Sequence, residues 1–113
     1  MLTGKIQGEK FFGDEIMQTI LDAILLAGKP EKVFIFGSYA KQTQTKDSDI
    51  DIAIIENTEL KKGKRAVKYF QRLKNLSIPK DIIVFTPEEF EYRKLEVNSL
   101  PYRINKEGVL IFG

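Results

Sequence analysis

Two short apolar runs, Val33-Phe-Ile-Phe36 and Ile52-Ala-Ile-Ile55, bracket a small-residue turn, a polar loop and two aspartates. No other stretch limits the fold as much. The first run reads as a buried strand. The second, taken back to Asp49, reads as another. Side chains alternate across the faces of a strand. Over Asp49 to Ile55, the residues Ile50, Ile52 and Ile54 then point one way, and Asp49, Asp51, Ala53 and Ile55 the other. The two aspartates share a face, roughly 6–7 Å apart at Cα. Neighbouring acids repel unless a cation lies between them. Mg²⁺ takes one or two carboxylates together with phosphate oxygens, which suits this pair. Asp-x-Asp alone is also what an ordinary half-solvated strand end can carry.

Gly37-Ser38 follows the first run directly. A glycine there lets the backbone turn sharply and come close to a ligand. Ser38 is expected to cap a short helix from Tyr39 to about Gln42. The N–H groups at such a helix start suit a phosphate, and Lys41 adds a positive charge nearby. An ordinary strand-to-helix turn has the same composition.

In combination the stretch is specific. Gly37, Ser38, Ala40, Ser48, Asp49, Ile50 and Asp51 fall in register with a pattern reading Gly-Ser-x-Ala-Arg-Gly, five residues, then Ser-Asp-Ile-Asp. This resembles the signature of the DNA polymerase β-like nucleotidyltransferases, and within them the minimal nucleotidyltransferases. Lys41 stands where arginine is usual, keeping the charge without the bidentate fork. Gln42 stands where glycine is usual. The resemblance covers about Asp14 to Gly113. It implies the nucleotidyltransferase fold, with Gly37, Ser38, Lys41 and Ser48 binding a nucleotide and Asp49 and Asp51 ligating Mg²⁺. It also implies a third catalytic and metal-binding carboxylate on the next strand. That strand reads as Lys80 to Phe85, and Asp81 is its only acid.

Composition narrows the chemistry. The chain's 113 residues allow one domain with a modest core. It has no Cys and no His. That leaves no thiol nucleophile, no zinc site of the usual kind and no imidazole acid–base catalysis. A net charge of +2 does not by itself argue for nucleic acid. No apolar run approaches a membrane span, and the start lacks a signal-peptide core. The expectation is a cytoplasmic protein with a single domain over residues 1–113, residues 1–13 forming a loose arm whose Phe11 and Phe12 dock on the core.

The remaining elements follow from pattern. Asp14 to Ala27 has apolar residues at helical spacing, Asp14 as a cap, and Gly28 and Pro30 as a stop. Thr43 to Asp47 is a polar loop, expected to be mobile until nucleotide binds. Leu60 to Leu76 is predicted as one helix burying Ala66, Val67, Phe70 and Leu73. Its other face then holds Lys61, Lys62, Lys64, Arg65, Lys68, Arg72 and Lys74, either solvated or holding RNA or an acidic partner. Thr86-Pro-Glu-Glu89 is a capping box opening a helix to about Leu95. Ser99-Leu-Pro101 opens a last short helix to about Lys106, and Val109 to Phe112 is an apolar terminus with strand character.

The architecture that follows is α/β (α+β), helix–strand–helix–strand–helix–strand–helix, with a small mixed sheet flanked by helices. Fewer than thirty residues follow the third strand, so a second molecule is expected to present the acceptor. The resemblance implies transfer of AMP from ATP with a two-metal Mg²⁺ site. It also implies a helical HEPN-type partner, often an RNase toxin, neutralised by adenylylation of a tyrosine. The alternative is a binding module that neutralises a helical partner by contact alone. Nucleotide addition to RNA or to a small molecule is a third, less favoured reading. Homo-oligomerisation stays open.

Overall fold

The computed structural model describes residues 14–113, the side chain of Asp14 excepted. The expected arm, the docking of Phe11 and Phe12, and the Asp14 cap lie outside the described residues. The elements run α1 (Asp14–Ala27), β1 (Lys32–Phe36), α2 (Ser38–Lys41), β2 (Ile50–Ile55), a 3₁₀ turn (Lys62–Lys64), α3 (Val67–Leu73), β3 (Lys80–Phe85), α4 (Pro87–Arg93), α5 (Leu100–Glu107) and β4 (Val109–Phe112). The four strands form one mixed sheet in the order β3-β2-β1-β4. β1 is antiparallel to both β2 and β4, whereas β2 and β3 are parallel. The mixed sheet flanked by helices is the expected class. The expected helix–strand order stops before α5 and β4, although the last short helix and the strand character of the terminal run both hold, the latter pairing with β1 as a fourth strand.

Alternation along β2 divides the core. Ile50, Ile52 and Ile54 are fully buried with Met17, Ile20, Leu21 and Ile24 of α1 and with Tyr69 and Leu73 of α3. Each such isoleucine contributes roughly 1.5–3 kcal/mol. Ala53 and Ile55 face the other way, against Phe34, Phe90 of α4 and Ile104 of α5. Phe34 and Phe90 stack there at 5.6 Å between centroids. β2 begins at Ile50 rather than Asp49.

Helix ends follow local chemistry. At α4 the Thr86 hydroxyl accepts the Glu89 N–H and the Glu89 carboxylate accepts the Thr86 N–H, a full capping box. At α5 the Ser99 hydroxyl accepts the Tyr102 N–H.

The single helix expected over Leu60 to Leu76 is instead a 3₁₀ turn and the seven-residue α3. Its buried stripe is also rotated from the expected one. Leu73 faces inward as expected and Ala66 packs against the core, but Tyr69 takes the inward position, while Val67 and Phe70 are 50% and 39% exposed. Two cations placed on the exposed face turn out to be structural. Arg65 is buried, giving Nε to the Leu60 carbonyl and Nη1 to that of Val84. Its guanidinium also grips Glu89 through two bonds of 2.8 and 3.2 Å. Lys68 binds Glu56 at 2.9 Å. Both reach for acids distant in sequence, which helical periodicity does not reveal.

Candidate active site

The site lies where β1, β2 and β3 stand side by side. Phe36 pairs with Asp51 across the antiparallel ladder, and Asp51 pairs with Asp81 across the parallel one. Neighbouring strands sit about 4.8 Å apart, so register alone sets two carboxylates next to each other. By parity Asp51 shares a face with Ala53 and Ile55, and Asp81 with Ile83 and Phe85. This is the face covered by α4 and α5. Asp49 is exposed just before β2, and Asp81 is exposed on β3.

Gly37 follows Phe36 and brings the backbone against Asp51. Its φ of 75° is left-handed, and an added Cβ would collide with Asp51 Oδ2 and lie 3.2 Å from Cγ. Any other residue would meet both the strain and the collision. Gly37 occupies the N-cap position and has no side chain to cap α2. Ser38, expected to be the cap, is the first helical residue. Its carbonyl accepts the Thr43 N–H at 2.9 Å, which folds the loop back on the turn. Gln42 ends α2 at φ 60° and ψ 36°. A residue with a side chain thus holds the left-handed conformation that glycine takes most easily.

Lys41 points its ammonium toward Glu107 of α5, at 3.4 Å, with both side chains partly exposed. Such a pair contributes about 0–1 kcal/mol and ties the turn loosely to α5. The Ser48 hydroxyl accepts the Thr45 N–H at 2.8 Å, and the Ser48 N–H reaches the Thr45 carbonyl. The loop before Asp49 is therefore a closed turn. Pattern reasoning did not mark Gln44 in this loop. Its Oε1 is buried with no partner among the described residues.

Electrostatics separate Asp51 from the other acids. Burial raises its carboxyl above the ordinary carboxylate value, and the charges of Asp81 and Asp49 raise it further. Two acids thus act on Asp51, and among the described residues no cation forms an ion pair with it. Mg²⁺ completes its shell with water and phosphate oxygens, so an open pair of carboxylates fits it. Among the described residues no three acids already form a closed ligand set. The arrangement suits an ion that arrives with a phosphate ligand, with Asp51 and Asp81 as main donors and Asp49 at the rim.

The opposite end of β2 behaves differently. Glu56 is buried and accepts from Tyr69 Oη at 2.8 Å, Lys68 Nζ at 2.9 Å and the Lys29 N–H at 3.3 Å. Burial alone would raise its carboxyl. The bonds from Lys68, Tyr69 and Lys29 outweigh that and hold it below the usual range. Tyr69 is itself pushed up by burial and by Glu56.

A family model described as a nucleotidyltransferase domain matches residues 17–110. The match spans β1, the turn at Gly37, all three acids and the first half of β4. No curated protein matches the chain.

Proposed function

The chain belongs to the nucleotidyltransferase domain family, and from that premise we propose that it transfers AMP from ATP to a hydroxyl on a partner protein. The observation that carries this is the in-register pair Asp51–Asp81, with the Gly37 backbone pressed against Asp51. In this reading Gly37, Ser38 and Lys41 hold the phosphates, and Ser48 keeps Asp49 in place through the turn it closes. Asp49, Asp51 and Asp81 would hold Mg²⁺, which supplies charge neutralisation at the phosphates and the leaving group. The acceptor oxygen attacks the α-phosphorus, the bond from that phosphorus to the β-phosphate oxygen breaks, and pyrophosphate leaves. Asp81, exposed on the edge strand, takes the acceptor's proton. Orientation and fixed charge carry most of the acceleration.

The acceptor we favour is a tyrosine of a helical HEPN-type protein, which makes this chain the antitoxin of a toxin–antitoxin pair. ATP labelled at the α-phosphate, incubated with Mg²⁺ and such a partner, tests it. Label on the partner, absent with Asp49→Ala, supports the reading. A tight complex without label, with neutralisation kept by the Asp49→Ala/Asp51→Ala double variant, would establish a contact-only module instead. Label on RNA and none on protein would move the acceptor to nucleic acid.

A further inference from the structure

Hydrogen bonds do not balance in the loop that joins α2 to the aspartates. Among the described residues, Gln44 Oε1 is the only buried side-chain oxygen or nitrogen without a partner. Other buried polar side chains are paired. Glu56 receives three donors, Arg65 binds two carbonyls and Glu89, and the Ser99 hydroxyl gives one bond and accepts another. A buried acceptor without a donor costs the free chain the desolvation of that atom. Methionine fills nearly the same space without that cost, so stability of the free chain does not account for a glutamine here.

A second local cost lies beside it. Gln42 holds the left-handed conformation at φ 60°, which residues with a Cβ adopt reluctantly. Both residues belong to the segment between the turn at Gly37 and Asp49. Orphaned and strained groups gather where a segment has a second state to change into.

The donors nearest Gln44 along the chain are committed to one another. Thr45 gives its N–H to Ser48 Oγ at 2.8 Å, Asp47 gives its N–H to Thr45 Oγ1 at 3.2 Å, and Ser48 gives its N–H to the Thr45 carbonyl at 3.1 Å. Thr43 gives its N–H to the Ser38 carbonyl at 2.9 Å. That last bond ties the loop to the turn, so a ligand that moves Ser38 also pulls on Thr43 and on Gln44 beside it. The bonds that Thr45 and Asp47 give are exposed and exchange with water at little cost. Gln44 Oε1 is buried, so it gains the most from a new donor.

We propose that Gln44 is a positioning residue for the nucleotide-bound loop. When a nucleotide occupies the turn at Gly37, Gln44 Oε1 accepts the Thr45 N–H that Ser48 Oγ holds at rest. That frees the Ser48 hydroxyl, one residue before Asp49, to donate to a phosphate oxygen. The Ser48 N–H keeps its bond to the Thr45 carbonyl, so the turn before Asp49 stays closed. The inference rests on the nucleotidyl-transfer reading for its ligand, and it adds the residue that holds the loop once that ligand is there. A ligand shifts such an equilibrium only by binding one state better, and Gln44 contributes to that difference.

The test uses the full chain with Mg²⁺ and α,β-methylene-ATP, which binds as ATP does without releasing pyrophosphate. Isothermal titration calorimetry reads affinity, and urea denaturation without nucleotide reads stability. Gln44→Met should raise the urea midpoint of the free chain and weaken nucleotide binding about tenfold. A side chain that merely packs would not move the two in opposite directions. In a Ser48→Ala background the Thr45 N–H is free at rest, so Gln44→Met should there cost less than about twofold in affinity. A midpoint that falls or stays level, an unchanged affinity, or a loss of about tenfold kept in the Ser48→Ala background would each overturn the inference. Equal binding by wild type and Gln44→Met sinks this inference alone, whereas no binding by wild type sinks the proposed function with it.

Discussion

Strand β2 has an acid near each end, and the two meet opposite conditions. Asp51, in its second position, lies beside two further acids and pairs with no cation among the described residues; its carboxyl is raised. Glu56, one residue past the strand, receives a tyrosine hydroxyl, a lysine and a backbone N–H; its carboxyl is lowered. Burial acts on both, so burial does not distinguish them. The difference is whether the fold supplies donors. Where it does, the acid is a structural joint between β2 and α3. Where it withholds them, the acid is left for something from outside.

The sharpest way to break this contrast is to neutralise each acid. Asp51→Asn should reduce nucleotidyl transfer by about 10³-fold or more, as loss of a metal-holding carboxylate does. Its urea midpoint should stay level or rise, because a mutual repulsion is removed. Falling stability with surviving transfer would erase the distinction. Glu56→Ala should do the reverse, costing about 3 kcal/mol by orphaning the buried Tyr69 hydroxyl and Lys68. Transfer per folded molecule should persist, as measured by activity normalised to the folded fraction.

Gly37→Ala joins the two classes, since the backbone strain and the collision with Asp51 act together. We expect about 1–3 kcal/mol of lost stability with a loss of transfer larger than that predicts, read by denaturation and label transfer on one preparation.

Acid titration compares the two ends within one molecule. Glu56 has a lowered folded value, so its contribution is present above the ordinary value of 4.5 and is lost as pH falls below it. Asp51 has the opposite sign. Protonation relieves it, so stability is regained as pH falls through its raised value toward 3.8. Wild-type stability should therefore decline in acid, Glu56→Gln should flatten the decline, and Asp51→Asn should steepen it. Urea midpoints between pH 3 and 6 read all three slopes. The smallest effect is expected at Gln42, where Gln42→Gly should add about 0.5–1 kcal/mol by relieving the left-handed conformation.

What the sequence disclosed divides along the same line. Strand parity was legible because the period is two: the Ile50, Ile52, Ile54 face and the Asp51, Ala53, Ile55 face separate as alternation requires. The capping box at Thr86 was legible because its partners lie three residues apart. The candidate acids were singled out by resemblance, Asp81 as the only acid of the third strand, whereas the register that sets Asp51 beside Asp81 is visible only in the folded sheet. Glu56 and Arg65 were not legible. Glu56 finds its partners 12 to 27 residues away in sequence and Arg65 its carboxylate 24 away, and nothing local marks a charged side chain as inward. Tyr69 misled the helical phase of α3, because a tyrosine can be buried whole when a carboxylate takes its hydroxyl.

The connection from β2 to β3 has a consequence for how such a chain can change over time. It is pinned at both ends by backbone bonds, Glu56 N–H to the Phe85 carbonyl and Ile50 N–H to the Pro79 carbonyl. The register of Asp51 and Asp81 is fixed by those ends. The outward residues of the crossover, Lys61, Lys64, Val67, Arg72 and Lys74 among them, take no part in it. Substitutions there can rewrite which surface the molecule presents while the acids keep their spacing. The outward surface of the crossover and the acids of the sheet therefore sit on separately mutable parts of the chain, so the one can drift while the spacing of the other is kept.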